Sequence, residues 1–169
     1  MENKLTTKSN LTQNFLNASK LSVPAGYMLL FLVIFIPVYF YGKLPDDIPY
    51  HFNFSGQPTS FGNKVTILIL PLIATIQFVL LSILPKLKLH YRYPVTITVD
   101  NEQIQKELAG AFGKLMKSSV LLVFILIEIQ IIQSVYEAKL FLNHYGIIVY
   151  SAIIFIPIIT YFIVANKEK

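Results

Sequence analysis

Two groups of residues have types and spacing that could do chemistry. The first is His51 with Asp46 and Asp47, in the segment Leu44-Pro45-Asp46-Asp47-Ile48-Pro49-Tyr50-His51-Phe52-Asn53-Phe54-Ser55-Gly56-Gln57-Pro58. One imidazole and two carboxylates are a partial zinc set, and a structural zinc site wants four ligands. His144, in a later loop, is the candidate fourth donor. No nucleophile accompanies them, so a bracing or capping histidine is the simpler reading. The second group is Glu128 with Gln77, Gln130 and Gln133, all inside strongly apolar stretches. Such residues could hold a proton, a cation or a small solute, or could simply hydrogen-bond to one another.

The apolar stretches decide which elements must position these groups. Hydrophobic residues make up 54% of the 169 and charged residues 14%, low for a water-soluble domain. Four runs approach the roughly 20 residues that a bilayer-spanning helix needs: about 23–41, 65–84, 118–135 and 145–164. Four such runs leave too little polar surface to cover a globule. The sequence therefore predicts an all-α integral membrane bundle of four transmembrane helices, one domain over 23–169, preceded by a cytoplasmic polar tail over 1–22. A retained first helix is expected rather than a cleaved signal, because the preceding polar stretch is too long and no small-x-small site follows.

Orientation is read from Lys and Arg. The tail, the central loop and the C-terminus carry 11 of them, and the first and third loops carry 3, namely Lys43, Lys64 and Lys139. This bias predicts a multi-pass plasma-membrane protein with both termini cytoplasmic and the 43–64 loop extracytoplasmic. The net charge of +5 then matches anionic headgroups; no nucleic-acid partner is expected. With no cysteine there is no disulfide framework or thiolate chemistry.

Within that frame the 43–64 loop is stiff. Pro45, Pro49 and Pro58 fix φ and push the residues before them toward extended backbone, while Gly56 and Gly62 permit turns. Pro37 should kink the first helix or mark its outer end, and Pro71 should kink the second. In the central loop, residues 91–99 alternate and are β-branched, which predicts a short extended piece. Asp100 or Asn101 can cap a helix whose Ile104, Leu108, Ala111 and Leu115 recur at helical spacing. With Lys106, Lys114 and Lys117 this reads as an amphipathic cytoplasmic helix lying on the inner membrane surface.

Glu128 lies eleven residues past Lys117, about 16 Å deep, and Gln77 nine residues from Lys86, about 14 Å deep. Similar depth predicts a neutral Glu128 hydrogen-bonded to Gln77. Gln130 and Gln133 lie on another side of the same helix.

The motif Pro45, Ile48-Pro49, His51-Phe52-Asn53, Gly56, Pro58, then Gly62 and Lys64 and a following Pro71, resembles the small bacterial membrane domain of unknown function at the N-terminus of SdpI-type immunity proteins. Tyr93-Pro94-Val95 to Asn101-Glu102 is similar to that family's central loop, so the resemblance spans about 27–135. The chain departs from the pattern at Thr59, where the family commonly has an acidic residue, and at Phe61, where it often has Trp. It is also shorter and lacks the family's additional C-terminal helices. The resemblance implies a bacterial plasma membrane and immunity to, or sensing of, a secreted peptide toxin.

No catalytic residue, metal or cofactor is expected. The candidate ligand-binding residues are Pro49, His51, Phe52, Asn53 and Gly56, in a loop that would meet an extracellular peptide or another membrane protein. The intramembrane polar residues Gln77, Glu128, Gln130 and Gln133 are the alternative centre, for proton or solute handling.

Overall fold

The computed structural model describes residues 9–87, 92–136 and 145–169. The chain is mostly helical. Helix α1 runs Asn10–Tyr41, strands β1 (Asp47–Phe52) and β2 (Pro58–Asn63) follow, and a 3-10 turn (Lys64–Leu68) leads into α2 (Ile69–Ile83). Helices α3 (Glu102–Val135) and α4 (Gly146–Lys167) complete it. Four helices, Asn10–Tyr41, Lys64–Ile83, Glu102–Val135 and Gly146–Lys167, are long and apolar enough to cross a membrane.

Three sequence expectations are revised. The polar segment 1–22 was expected to be a tail, yet residues 10–22 are the first turns of α1. Ser9 caps them, its Oγ accepting from the Thr12 N–H. Their composition is polar, but Phe15 and Leu16 share a face and are buried against Leu108, Ala111, Tyr161, Val164 and Ala165. Likewise the amphipathic segment is no separate surface helix. It forms the first turns of the 34-residue α3, about 51 Å long. Its apolar positions Leu108 and Ala111 meet other helices rather than lipid.

The third revision is the 43–64 loop, which is a β-hairpin, so the fold is not purely α. Strands β1 and β2 pair antiparallel, with Ile48 opposite Gly62 and Pro49 opposite Phe61. By contrast, residues 92–99 contain no strand. Asn101 braces that loop, its Oδ1 accepting from the Thr98 N–H and its Nδ2 donating to the Thr96 carbonyl. Its side chain makes no capping bond to α3. Pro37 does not end α1, which continues for another turn to Tyr41.

α3 is the shared partner of the bundle. α1 runs parallel to it, and the two meet where Ser118 Oγ donates to the Ser22 carbonyl. A Cβ on Gly26 would sit 3.1 Å from Ser118 Oγ, so this crossing needs small residues. α2 packs antiparallel, joining Val33, Ala74, Phe78, Leu121 and Ile125 in one cluster. α4 closes the far end, where Gln105 Nε2 donates to the Ala165 carbonyl and Thr12 Oγ1 donates to Glu168.

The crossing yields a test. Gly26→Ala should lower stability in detergent by about 1 kcal/mol, the small-to-large penalty. In a Ser118→Ala background the same change should cost little. Equal losses in both backgrounds, measured by thermal unfolding, would show that the two residues do not meet.

Candidate functional site

The hairpin is held at its base and its tip by residues of its own. At the base, Lys64 Nζ lies 3.0 Å from Asp46 Oδ1, and the Lys64 N–H donates to the Asp46 carbonyl. At the tip, Asn53 Oδ1 accepts from the N–H groups of both Ser55 and Gln57, each at 2.9 Å. That is an Asx-type turn, in which a side chain replaces a backbone acceptor. Gly56 has φ of 74°, the left-handed region that glycine enters without steric cost. Asn53 and Gly56 therefore build the turn.

The candidate ligand residues divide by side. Ile48 and Pro49 are buried, and Ile48 packs with Leu44, Ile67, Ile131 and Ile132. Phe52 is half-buried against the same cluster. The opposite surface exposes Tyr50, His51, Phe54 and Phe61, with Phe54 83% exposed. The register slips on either side of His51, which lets Tyr50 and His51 both face outward.

His51 Nδ1 lies 2.7 Å from Thr59 Oγ1, and that hydroxyl is 3.3 Å from the His51 carbonyl. If the hydroxyl proton goes to the carbonyl, its oxygen accepts from Nδ1–H and Nε2 is left as an acceptor. Thr59 escaped notice as a site residue in the sequence, though its departure from the resembled motif marked the position. Among the described residues no three His, Cys, Asp or Glu side chains come together as a metal site. Asp46 is engaged by Lys64, and His144 lies outside the described residues.

One cluster separates the hairpin from the second centre. Glu128 has no exposed surface, and neither of its carboxyl oxygens has a hydrogen-bond partner among the described residues. Gln77 is also without a partner at both amide atoms. The expected Glu128–Gln77 bond is thus not made, and helix register explains why. Lys117 Nζ bonds Ser82 Oγ, and Ile67 packs with Ile131 and Ile132. In that antiparallel register Glu128 stands opposite Pro71, while Gln77 stands opposite Leu122, about 9 Å away along the axis. In α1, the Ser118–Ser22 bond and the Tyr136 hydroxyl on the Lys43 carbonyl bring residues 32–35 level with Glu128. At that level α2 contributes Pro71 and α1 the Val33 carbonyl, from which Pro37 withdraws a helical N–H.

Gln130 is on the other side of α3, where the Tyr150 hydroxyl donates to its Oε1. Gln133 lies three residues further along α3, partly buried. The four intramembrane candidates therefore do not form one polar path. Gln77 lies apart from Glu128, and Gln130 serves the α3–α4 contact. Tyr150 had no signal in the sequence beyond being a polar residue in an apolar span.

The architecture is that of a multi-pass membrane protein: four long apolar helices, one hairpin and an acid at the centre. Residues 28–75 match a family model described as a domain of unknown function (DUF1648). That segment contains the whole hairpin, most of the second half of α1 and the start of α2. Glu128 lies outside it. A 65-residue stretch is 37% identical to an uncharacterized protein of Archaeoglobus fulgidus, covering 37% of this chain and 36% of that protein. The chain thus spans little more than a third of that relative's length. No solved structure matches it.

A buried carboxyl without a partner costs about 1–3 kcal/mol of stability relative to an apolar side chain of similar shape. Glu128→Leu should therefore raise the unfolding temperature by several degrees, with Glu128→Gln close to the parent. A lowered temperature for Glu128→Leu would show that the carboxyl makes a bond worth keeping.

Proposed function

We propose that this is a non-enzymatic plasma-membrane protein that engages an extracellular or membrane-borne peptide through its hairpin, for immunity or for sensing. The observation that carries this reading is the division of the hairpin into two sides. One side is fixed by Ile48 onto Ile131 and Ile132 of α3. The other offers Tyr50, His51, Phe54 and Phe61. Rigid aromatic groups beside an imidazole suit peptide recognition, because they give contact area at low entropic cost. The excess of Lys and Arg in the other loops supports an extracytoplasmic hairpin and cytoplasmic termini. The resemblance to SdpI-type immunity proteins supports the same reading. Seating on α3 gives a bound peptide a mechanical route to Glu128, which lies one turn from Ile131 and Ile132.

The second reading is proton or solute handling, favoured by the unpartnered carboxyl of Glu128 inside a helix bundle. The two readings separate by mutation.

The informative hairpin variants are Tyr50→Ala, His51→Ala and Phe54→Ala, because Phe52 and Asn53 also hold the hairpin together. In a sensitive bacterial strain challenged with membrane-active peptides, the parent protein should raise survival. The combined variant should lose at least tenfold of that protection while inserting normally. Full protection by the variant contradicts recognition through the hairpin. A pH-gradient flux in reconstituted vesicles that Glu128→Gln abolishes would favour the second reading.

A further inference from the structure

At the end of the bundle away from the hairpin, α1 and α3 continue past the last turn of α2. α2 fills the groove between them through Ala74 and Phe78, and its chain leaves at Leu84–Lys86. Below that point no described residue fills the same groove. Lys106, Gly110 and Lys114 follow at four-residue spacing on the α3 face that, higher up, presents Lys117 and Leu121 to α2. A cavity of about 340 Å³ results, with Lys20 and Gln13 of α1 on its other wall. It exists in part because Gly110 has no side chain: a Cβ there would meet nothing within 4 Å.

The charge of this cavity is unbalanced. Lys106 is paired with Glu102 at 2.6 Å. Glu107, on the wall, accepts from Gln103 and keeps its negative charge, so Lys20 and Lys114 exceed the remaining acid of the wall by one charge. Lys20 and Lys114 have no acidic partner among the described residues, and Lys114 repels the neighbouring Lys117. Two ammonium groups facing an open groove are a site for a phosphate-type anion, which lysine binds as a point charge. The position favours an anion that carries acyl chains. Where the apolar spans begin, Ser22 lies about half a turn above Lys20 and Ser118 about one turn above Lys114. Leu21, beside Lys20, is 72% exposed, and Tyr27, Met28 and Phe31 continue an exposed apolar surface above it.

We propose that this cleft binds the phosphodiester headgroup of an anionic phospholipid, with Lys20 and Lys114 on the phosphate and the acyl chains along α1. Basic pockets between membrane helices hold such headgroups by the same attraction. Occupancy would fasten α1 to α3 where α2 no longer does.

The full chain in neutral detergent is titrated with phosphatidylglycerol, with phosphatidylcholine and with inorganic phosphate at matched ionic strength. Retained lipid is read by native mass spectrometry, and stability by the unfolding temperature. Phosphatidylglycerol should be retained at least tenfold over phosphatidylcholine and should raise the unfolding temperature, with inorganic phosphate doing neither. The double variant Lys20→Gln/Lys114→Gln should lose about tenfold of that preference. Gly110→Leu, which fills the groove without altering charge, should do the same. The double variant Lys167→Gln/Lys169→Gln should behave as the parent. Equal retention of the two lipids, an unaffected Gly110→Leu, or equal losses in both lysine doubles would overturn the site. Inorganic phosphate displacing the lipid at matched ionic strength would overturn the lipid as its occupant.

Discussion

Helices surrounded by hydrocarbon gain little from burying apolar side chains against one another, because lipid offers them the same contact. Their association has to come from close packing and from polar bonds that lipid cannot supply. The α1–α3 crossing meets that condition at Ser22, Gly26 and Ser118, where a missing side chain and a hydroxyl-to-carbonyl bond bring the backbones together. The remaining contacts follow from it. Once α1 and α3 are parallel and in register, the Tyr136 hydroxyl reaches the Lys43 carbonyl at one end. At the other end, Phe15 and Leu16 meet Leu108 and Ala111. The groove between them is what α2 occupies above and does not reach below.

The hairpin is the second consequence. A two-stranded hairpin is marginal alone in water. This one is stabilised by its side-chain turn at Asn53, by the Lys64–Asp46 pair and by the seating of Ile48 on α3. The seated side of the hairpin and its exposed aromatic side are therefore different sides of one element. Glu128 sits one turn along α3 from the seat, in a position where a charge would have no counter-ion among the described residues. A movement of the hairpin would be felt first by the packing around this carboxyl, so the two candidate centres are neighbours along one helix.

Much of this was legible in the sequence. The apolar runs gave the helices, and the prolines, glycines and His51 marked the hairpin as the shaped segment. What was missed depended on pairing across the chain. The strands were hidden because prolines break the alternation of β1, and which of its sides is buried is set by the contact of Ile48 with α3. The first turns of α1 were hidden because only Phe15 and Leu16 carry their buried face among Asn, Thr, Gln and Ser. Counting depth separately from Lys117 and from Lys86 brought Glu128 and Gln77 level. The Lys117–Ser82 bond puts Lys86 four residues, about 6 Å, beyond the level of Lys117, and the two-residue difference between the counts makes up the rest of the roughly 9 Å. Side-chain roles were also invisible: Asn53 has the type of a ligand residue and serves as the turn's acceptor.

The proposal that the hairpin is an outward-facing surface, with the basic cleft on the opposite side of the membrane, is tested most directly by labelling. The chain has no cysteine, so single substitutions give an unambiguous signal. Phe54→Cys at the hairpin tip and Gln103→Cys at the start of α3 are exposed positions at opposite ends of the bundle. In intact cells a membrane-impermeant maleimide should label Phe54→Cys at once and Gln103→Cys only after permeabilisation. Labelling of Gln103→Cys with Phe54→Cys protected, or of both from the same side, would contradict it.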